Sequence, residues 1–103
     1  MTPARGEVWM VDLGLAAKVR PCQVINIPFA DNERAIFAIV PHTTSLWNTR
    51  FEIPTELTWL DRGAFDAQGL RPVPRKVFER RLGAVPGDLL ARVEATVRVW
   101  FGL

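Results

Sequence analysis

The stretch Lys18-Val19-Arg20-Pro21 ends a short loop on a guanidinium, and Pro21 fixes the direction of the backbone that follows. A planar guanidinium aimed from a sheet edge matches a phosphate with paired donors. Read alone, the dipeptide is an ordinary solvated arginine before a strand. In Val40-Pro41-His42-Thr43-Thr44-Ser45 an apolar run stops at a proline and gives way to an imidazole and three hydroxyls. Hydroxyl donors at a strand end can stabilise charge that develops on a phosphate oxygen. The same residues also suit a turn that satisfies its own backbone. Beyond Ala64-Phe65-Asp66-Ala67-Gln68 comes the densest positive run, Arg71, Arg75, Lys76, Arg80 and Arg81, opposed between positions 71 and 81 by Glu79 alone. Such a run suits a phosphate backbone or a solvated face.

Other chemistries are excluded by composition. His42 is the only histidine and Cys22 the only cysteine. Catalysis by two histidines of one chain is therefore ruled out, and a zinc ligand set cannot be filled. No glycine-rich phosphate loop and no nucleophile elbow occurs. Neither a metal nor a cofactor is expected. The lone thiol excludes an internal disulfide, and its neighbours Val24 and Ile25 mark it as a buried strand residue. Of the 13 cationic side chains 11 are arginine, a bias that fits phosphate and base contacts but that codon composition also produces. With 103 residues, 49% of them hydrophobic, the chain predicts one globular domain over 1–103. The longest apolar run, 35–41, is too short to span a bilayer, and the N-terminus lacks a signal-peptide pattern. A soluble, cytoplasmic protein with no membrane contact is the expectation.

Alternating and apolar runs predict the elements that must position these residues. Strands are expected at 6–13, 21–27, 34–40 and 50–54, with shorter pieces at 64–68 and 71–75. A helical turn is expected at 76–81 and a last strand at 82–85. Pro86-Gly87-Asp88 opens a helix with Asp88 as its N-cap or first-turn acid, Leu90, Val93, Val97 and Trp100 form its apolar stripe, and Gly102 ends it. Short strands followed by one terminal helix predict an α+β, mainly β chain. Its architecture would be a strongly bent antiparallel sheet or barrel with a helix packed on it.

Taken in order, Arg5-Gly6-Glu7-Val8-Trp9-Met10-Val11-Asp12-Leu13, Arg20-Pro21-Cys22-Gln23-Val24-Ile25, Val40-Pro41-His42-Thr43-Thr44-Ser45, Arg50-Phe51-Glu52-Ile53 and Asp66-Ala67-Gln68 resemble the MazF/PemK toxins of type II toxin–antitoxin systems. The resemblance implies an SH3-like β-barrel with a C-terminal helix, assembled as a homodimer. It implies a metal-independent, sequence-specific endoribonuclease that cleaves single-stranded RNA by 2′-hydroxyl attack. The products would be 2′,3′-cyclic phosphate and 5′-hydroxyl ends, and the consequence arrested translation. Arg20 and Thr43 would be catalytic. His42, Thr44 and Ser45 would position the substrate, and Lys18, Trp47, Asn48, Arg50, Gln68 and Arg71 are further candidates for RNA contact. A MazE-like antitoxin would cover the RNA groove, and Trp100 and Phe101 are candidate interface residues. The chain departs from many family members in the short loop before Arg20, which lacks their glutamate. The rival readings are a non-catalytic or degenerate barrel that binds nucleic acid or protein, and a CcdB-like gyrase poison, which shares the fold without the Arg-Pro and Thr pair.

Overall fold

Val8, Trp9 and Val11 are all fully or almost fully buried, so both faces of the first strand meet a core. Alternate side chains point to opposite faces of a strand. Val8 joins one apolar cluster, and Trp9 and Val11 join another. A two-sided strand of this kind needs a sheet that curls around one core and carries a second layer over the other. The computed structural model, which describes residues 1–16 and 18–103, has that form.

The strands are β1 (Glu7–Asp12), β2 (Val19–Val24), β3 (Ile36–Thr43), β4 (Glu52–Thr55), β5 (Gly63–Asp66), β6 (Arg71–Pro74) and β7 (Phe78–Ala84), and helix α1 spans Gly87–Phe101. The antiparallel sheet runs β4-β5-β3-β2-β1-β7, and β6 pairs with β3 beside β5. The sheet is strongly bent but not closed into a barrel, since β7 pairs only with β1 among the described residues. In its α+β class, its mainly β content and its terminal helix the fold agrees with the sequence reading.

The first core lies under α1. Leu89, Val93 and Val97, one helical turn apart, pack against Val8, Val40, Phe51, Ile53 and Phe65. Each fully buried aliphatic side chain contributes about 1.5–3 kcal/mol. The stripe begins at Leu89 rather than Leu90, and Trp100 sits at its margin, 43% exposed with its ring 5.2 Å from that of Phe51. Pro86 is the N-cap of α1 and Asp88 lies in the first turn, where its charge suits the helix dipole. Gly102 closes the helix at φ 72°, its N–H donating to the Arg98 and Val99 carbonyls. The second core joins Trp9, Val11, Cys22, Val24, Phe37, Ile39, Val73 and Phe78.

Several expected boundaries moved: β3 runs on past 40 to take in Pro41, His42 and Thr43, and the piece expected at 64–68 ends as a strand at Asp66 and turns into a 3₁₀ helix over Ala67–Gly69. Strand β2 begins at Val19, so Arg20 lies inside a strand and not in a loop. Ala17, in the loop expected before Arg20, lies outside the described residues. At 75–84 only Arg75–Val77 forms a 3₁₀ turn, and β7 then runs continuously from Phe78. The polar Glu79, Arg80 and Arg81 are tolerated because β7 is an edge strand.

Candidate active site

Strands β2 and β3 pair through Cys22↔Pro41, Gln23↔Val40 and Val24↔Ile39. Carried two residues past its last pair, that register sets Arg20 opposite Thr43, on the face that Cys22 and Pro41 share. The ladder stops where Pro21 and Pro41 stand, two residues without a backbone N–H to donate. Beyond them Thr43 pairs instead with Ala64 of β5. Strand β6 brings a second guanidinium to the same face by pairing Arg71 with Ile39. Arg20, Thr43 and Arg71 thus continue the side-chain row of the second core to the point where that core opens to solvent.

A cleft of about 200 Å³ forms at this opening. Its walls are Leu13, Arg20, Pro41, His42, Thr43, Ser45, Trp47, Glu52, Asp66, Gly69 and Arg71. The Thr43 hydroxyl accepts the Ser45 N–H at 3.0 Å and is 3.3 Å from the Ser45 carbonyl. That second bond is long for a hydroxyl donor, so the proton can turn to a better acceptor. Both guanidiniums lie close enough to Cys22 to favour its thiolate, yet burial dominates and pushes the thiol up to about 12. Cys22 is therefore an inert core residue at neutral pH.

His42 turns inward. Only 2% exposed, it packs edge-on against Phe65 with centroids 5.2 Å apart. Its Nε2 lies 2.8 Å from the Thr55 hydroxyl, which donates onward to the Gly63 carbonyl at 3.3 Å. Which of the two donates across that contact is set by the tautomer of the ring. Burial holds the His42 pKa below its ordinary value, against an opposing pull from Asp61. Gly63 permits the close approach of β5: a Cβ there would stand 2.2 Å from the Thr43 carbonyl oxygen and 2.9 Å from His42 Cε1.

The other candidates divide. Ser45, Trp47 and Arg71 line the cleft with Arg20, Thr43 and His42, and Gln68 lines an adjoining cavity. Thr44 faces a separate hollow with Leu46, Pro54 and Arg62. Lys18 and Asn48 hold turn conformations at φ 59° and are not in the cleft wall. The Arg50 guanidinium lies 4.7 Å over the Phe51 ring, away from the cleft wall. Nor is the basic run at 71–81 a single phosphate-facing patch. Arg75 stacks over Trp9 and Phe78 and donates to the Met1 carbonyl, and Arg81 pairs with Glu7.

Sequence reasoning missed Glu52 and Asp66 as wall residues. They are cross-strand partners on the β4–β5 hairpin. Glu52 accepts the backbone N–H of Trp47 at 2.9 Å and of Thr49 at 2.7 Å, bonds that hold its carboxyl below the usual range. The available signal was its position in the alternation of 50–54, which puts it on the face away from buried Phe51 and Ile53. Among the described residues no three His, Cys, Asp or Glu side chains gather closely enough to hold a metal ion.

A family model of PemK-like, MazF-like toxins of type II toxin–antitoxin systems matches residues 4–101. The chain belongs to this family. No curated protein sequence matches it significantly. Its fold is shared with solved structures. A chain of the Deinococcus radiodurans MazE–MazF complex superposes with a TM-score of 0.83 at 19% identity, covering 100% of this chain and 98% of that one. A mycobacterial endoribonuclease bound to its cognate antitoxin gives 0.84 at 19% identity, with 98% and 96% covered. The Mycobacterium tuberculosis toxin MazF-mt6 gives 0.79 at 15% identity, with 94% and 97% covered. Among the described residues of this PemK/MazF-family chain, no helix is long and apolar enough to cross a membrane.

Proposed function

We propose that this chain is a metal-independent endoribonuclease that cuts single-stranded RNA in the Arg20–Thr43 cleft. One observation carries the reading: a guanidinium and a hydroxyl 23 positions apart in sequence line the same cleft. In the reaction the RNA 2′-oxygen bonds to the adjacent phosphorus as its hydroxyl proton passes to solvent water. The bond from phosphorus to the 5′-oxygen breaks, and that oxygen takes up a proton from water. The products are a 2′,3′-cyclic phosphate and a 5′-hydroxyl end. Arg20 neutralises charge on the pentacoordinate phosphorus, with Arg71 as a second cation. A guanidinium stays protonated at neutral pH, so its role is electrostatic and not that of a base. Thr43 donates its hydroxyl proton to a non-bridging oxygen.

Val99, Trp100, Phe101 and Leu103 leave an apolar surface exposed around the end of α1. Such a surface suits a protein partner. We assign it to assembly, either with a second copy of the chain or with a MazE-like antitoxin. Cytoplasmic action on mRNA follows from the ribonuclease reading.

The test is cleavage of a short single-stranded RNA with EDTA present. The proposal expects cutting with 5′-hydroxyl ends and resistance of a substrate carrying 2′-deoxyribose at the scissile nucleotide. A deoxy substrate cut at the same rate would refute internal attack. Intact RNA throughout would return the chain to the binding-only reading.

A further inference from the structure

The cleft does not end at Thr43. A second cavity of about 200 Å³ adjoins it and shares Trp47, Glu52 and Asp66 as common walls, with Thr49 and Gln68 completing it. The chemistry changes across that boundary. The first cavity sets the guanidiniums of Arg20 and Arg71 beside the shared carboxylates, whereas the second has no cation in its wall. It offers an indole, an amide and carboxylates. A phosphate would be repelled there, but a base would not.

The walls are held in place. Trp47 is 86% exposed, yet its loop is pinned by the two bonds from the Trp47 and Thr49 N–H groups to Glu52. An exposed indole on a fixed loop is a stacking platform for an unpaired base. Asp66 and Gln68 are fixed relative to each other, because Asp66 Oδ1 accepts the Gln68 N–H at 3.1 Å. The second carboxylate oxygen of Asp66 carries no hydrogen bond among the described residues. A carboxylate only accepts, and a glutamine side-chain amide can donate.

These groups discriminate among bases. Guanine presents N1–H and N2–H₂ side by side, two donors that a carboxylate accepts together, with the O6 carbonyl next to them for an amide donor. Adenine and cytosine set a single amino group beside a ring nitrogen lone pair, which repels a carboxylate. Uracil has one N–H between two carbonyls, the least favourable pattern. We propose that the second cavity reads a guanine next to the scissile phosphate. Asp66 accepts from its N1–H and N2–H₂, Gln68 donates to O6, and Trp47 stacks on the ring. Glu52 is a positioning residue that holds the indole. The inference rests on the ribonuclease reading for the event at the phosphate, but the base preference is measurable without cleavage.

Two readouts on the whole chain keep those claims apart. Sequencing the 5′-hydroxyl ends released from a randomised single-stranded RNA pool should show guanine over uracil by about tenfold at one nucleotide flanking the cut, the discrimination of a good paired base contact. Fluorescence anisotropy with uridine pentamers carrying one central guanosine, adenosine, cytidine or uridine, each made uncleavable by 2′-deoxyribose, should show the guanosine oligomer bound about tenfold more tightly than all-uridine. Asp66→Asn should bring the guanine-to-adenine ratio to one or below. A ratio is insensitive to how much of the variant is folded. Trp47→Ala should weaken all four oligomers alike by about tenfold, since stacking is sequence-tolerant. Cleavage without guanine enrichment, equal binding of the four oligomers, or an unchanged ratio in Asp66→Asn would overturn the inference. Selective guanosine binding without any cleavage would support it and overturn the ribonuclease reading alone.

Discussion

His42 and Thr43 are adjacent in the chain, sit at the end of the same strand and meet opposite fates. His42 faces the core under α1, where Phe65 and the Thr55 hydroxyl enclose a neutral ring. Thr43 faces the end of the other core, where Arg20 and Arg71 share its cleft. One step along a pleated strand therefore separates a structural polar residue from a candidate catalytic one. Residue type does not assign the chemistry here; the face of β3 does.

Arg20→Ala should lower kcat/KM for RNA by about 10²–10³-fold, the scale of losing one preorganised donor to a transition-state oxygen. His42→Gln should lower it by less than about tenfold, because the ring, although part of the cleft wall, is turned inward against Phe65 and Thr55. Equal losses would mean that the two faces do not differ. Next comes the strand that seals the closed side. Gly63→Ala forces a Cβ against the Thr43 carbonyl and should cost about 3 kcal/mol in denaturant unfolding. A neutral result would show that β5 does not press on β3 as described.

How much of this was legible in the sequence follows the same division. The alternation of β1 and the apolar run of β3 up to Val40 were readable because they record burial directly. The start of β2 was not, because Pro21 in a strand between two neighbours reads as a boundary. Its missing donor is harmless here because the β2–β3 ladder begins only at Cys22. Strand β7 was misread because an edge strand carries Glu79, Arg80 and Arg81 without penalty. Arg20, Thr43, Ser45, Trp47 and Arg71, which line the cleft, could be named from the sequence, but Arg20 and Thr43 through the family resemblance and not through residue type alone. Glu52 and Asp66 could not, since only the β4–β5 pairing carries them to the cleft. Arg75 and Arg81, which looked like phosphate contacts, are held by aromatic rings and by Glu7, partners remote in sequence.

Smaller effects sharpen the closed side. Gln23 lies between Val8 and Val40 on the helix-side face, fully buried, and neither amide atom has a hydrogen-bond partner among the described residues. Gln23→Leu should stabilise the chain by about 1–2 kcal/mol, because an unsatisfied buried amide is removed without changing the volume greatly. Calorimetry should read this as a melting temperature higher by several degrees. The smallest effect is on pH. His42 has a folded pKa below its ordinary 6.5. The unfolded chain therefore binds the proton more readily, and stability that is complete above pH 6.5 is lost as pH falls through the folded value. Partial burial pushes Glu7 up, but bonds from Arg81, Trp9 and the Ala4 N–H outweigh it and hold its carboxyl below 4.5. Its contribution, like that of Glu52, is lost only at more acidic pH. Melting curves of the wild type and His42→Gln between pH 7 and 5 should converge toward the acid end, with the wild type losing more.

The central claim is that Arg20 and Thr43 act on one phosphate, and a double-mutant cycle on kcat/KM tests it most directly. With Arg20→Ala, Thr43→Ala and the double variant assayed on the same RNA, a shared phosphate predicts a combined loss clearly smaller than the product of the two single losses. Losses that multiply would contradict it, because two groups that do not meet at the same oxygens act independently.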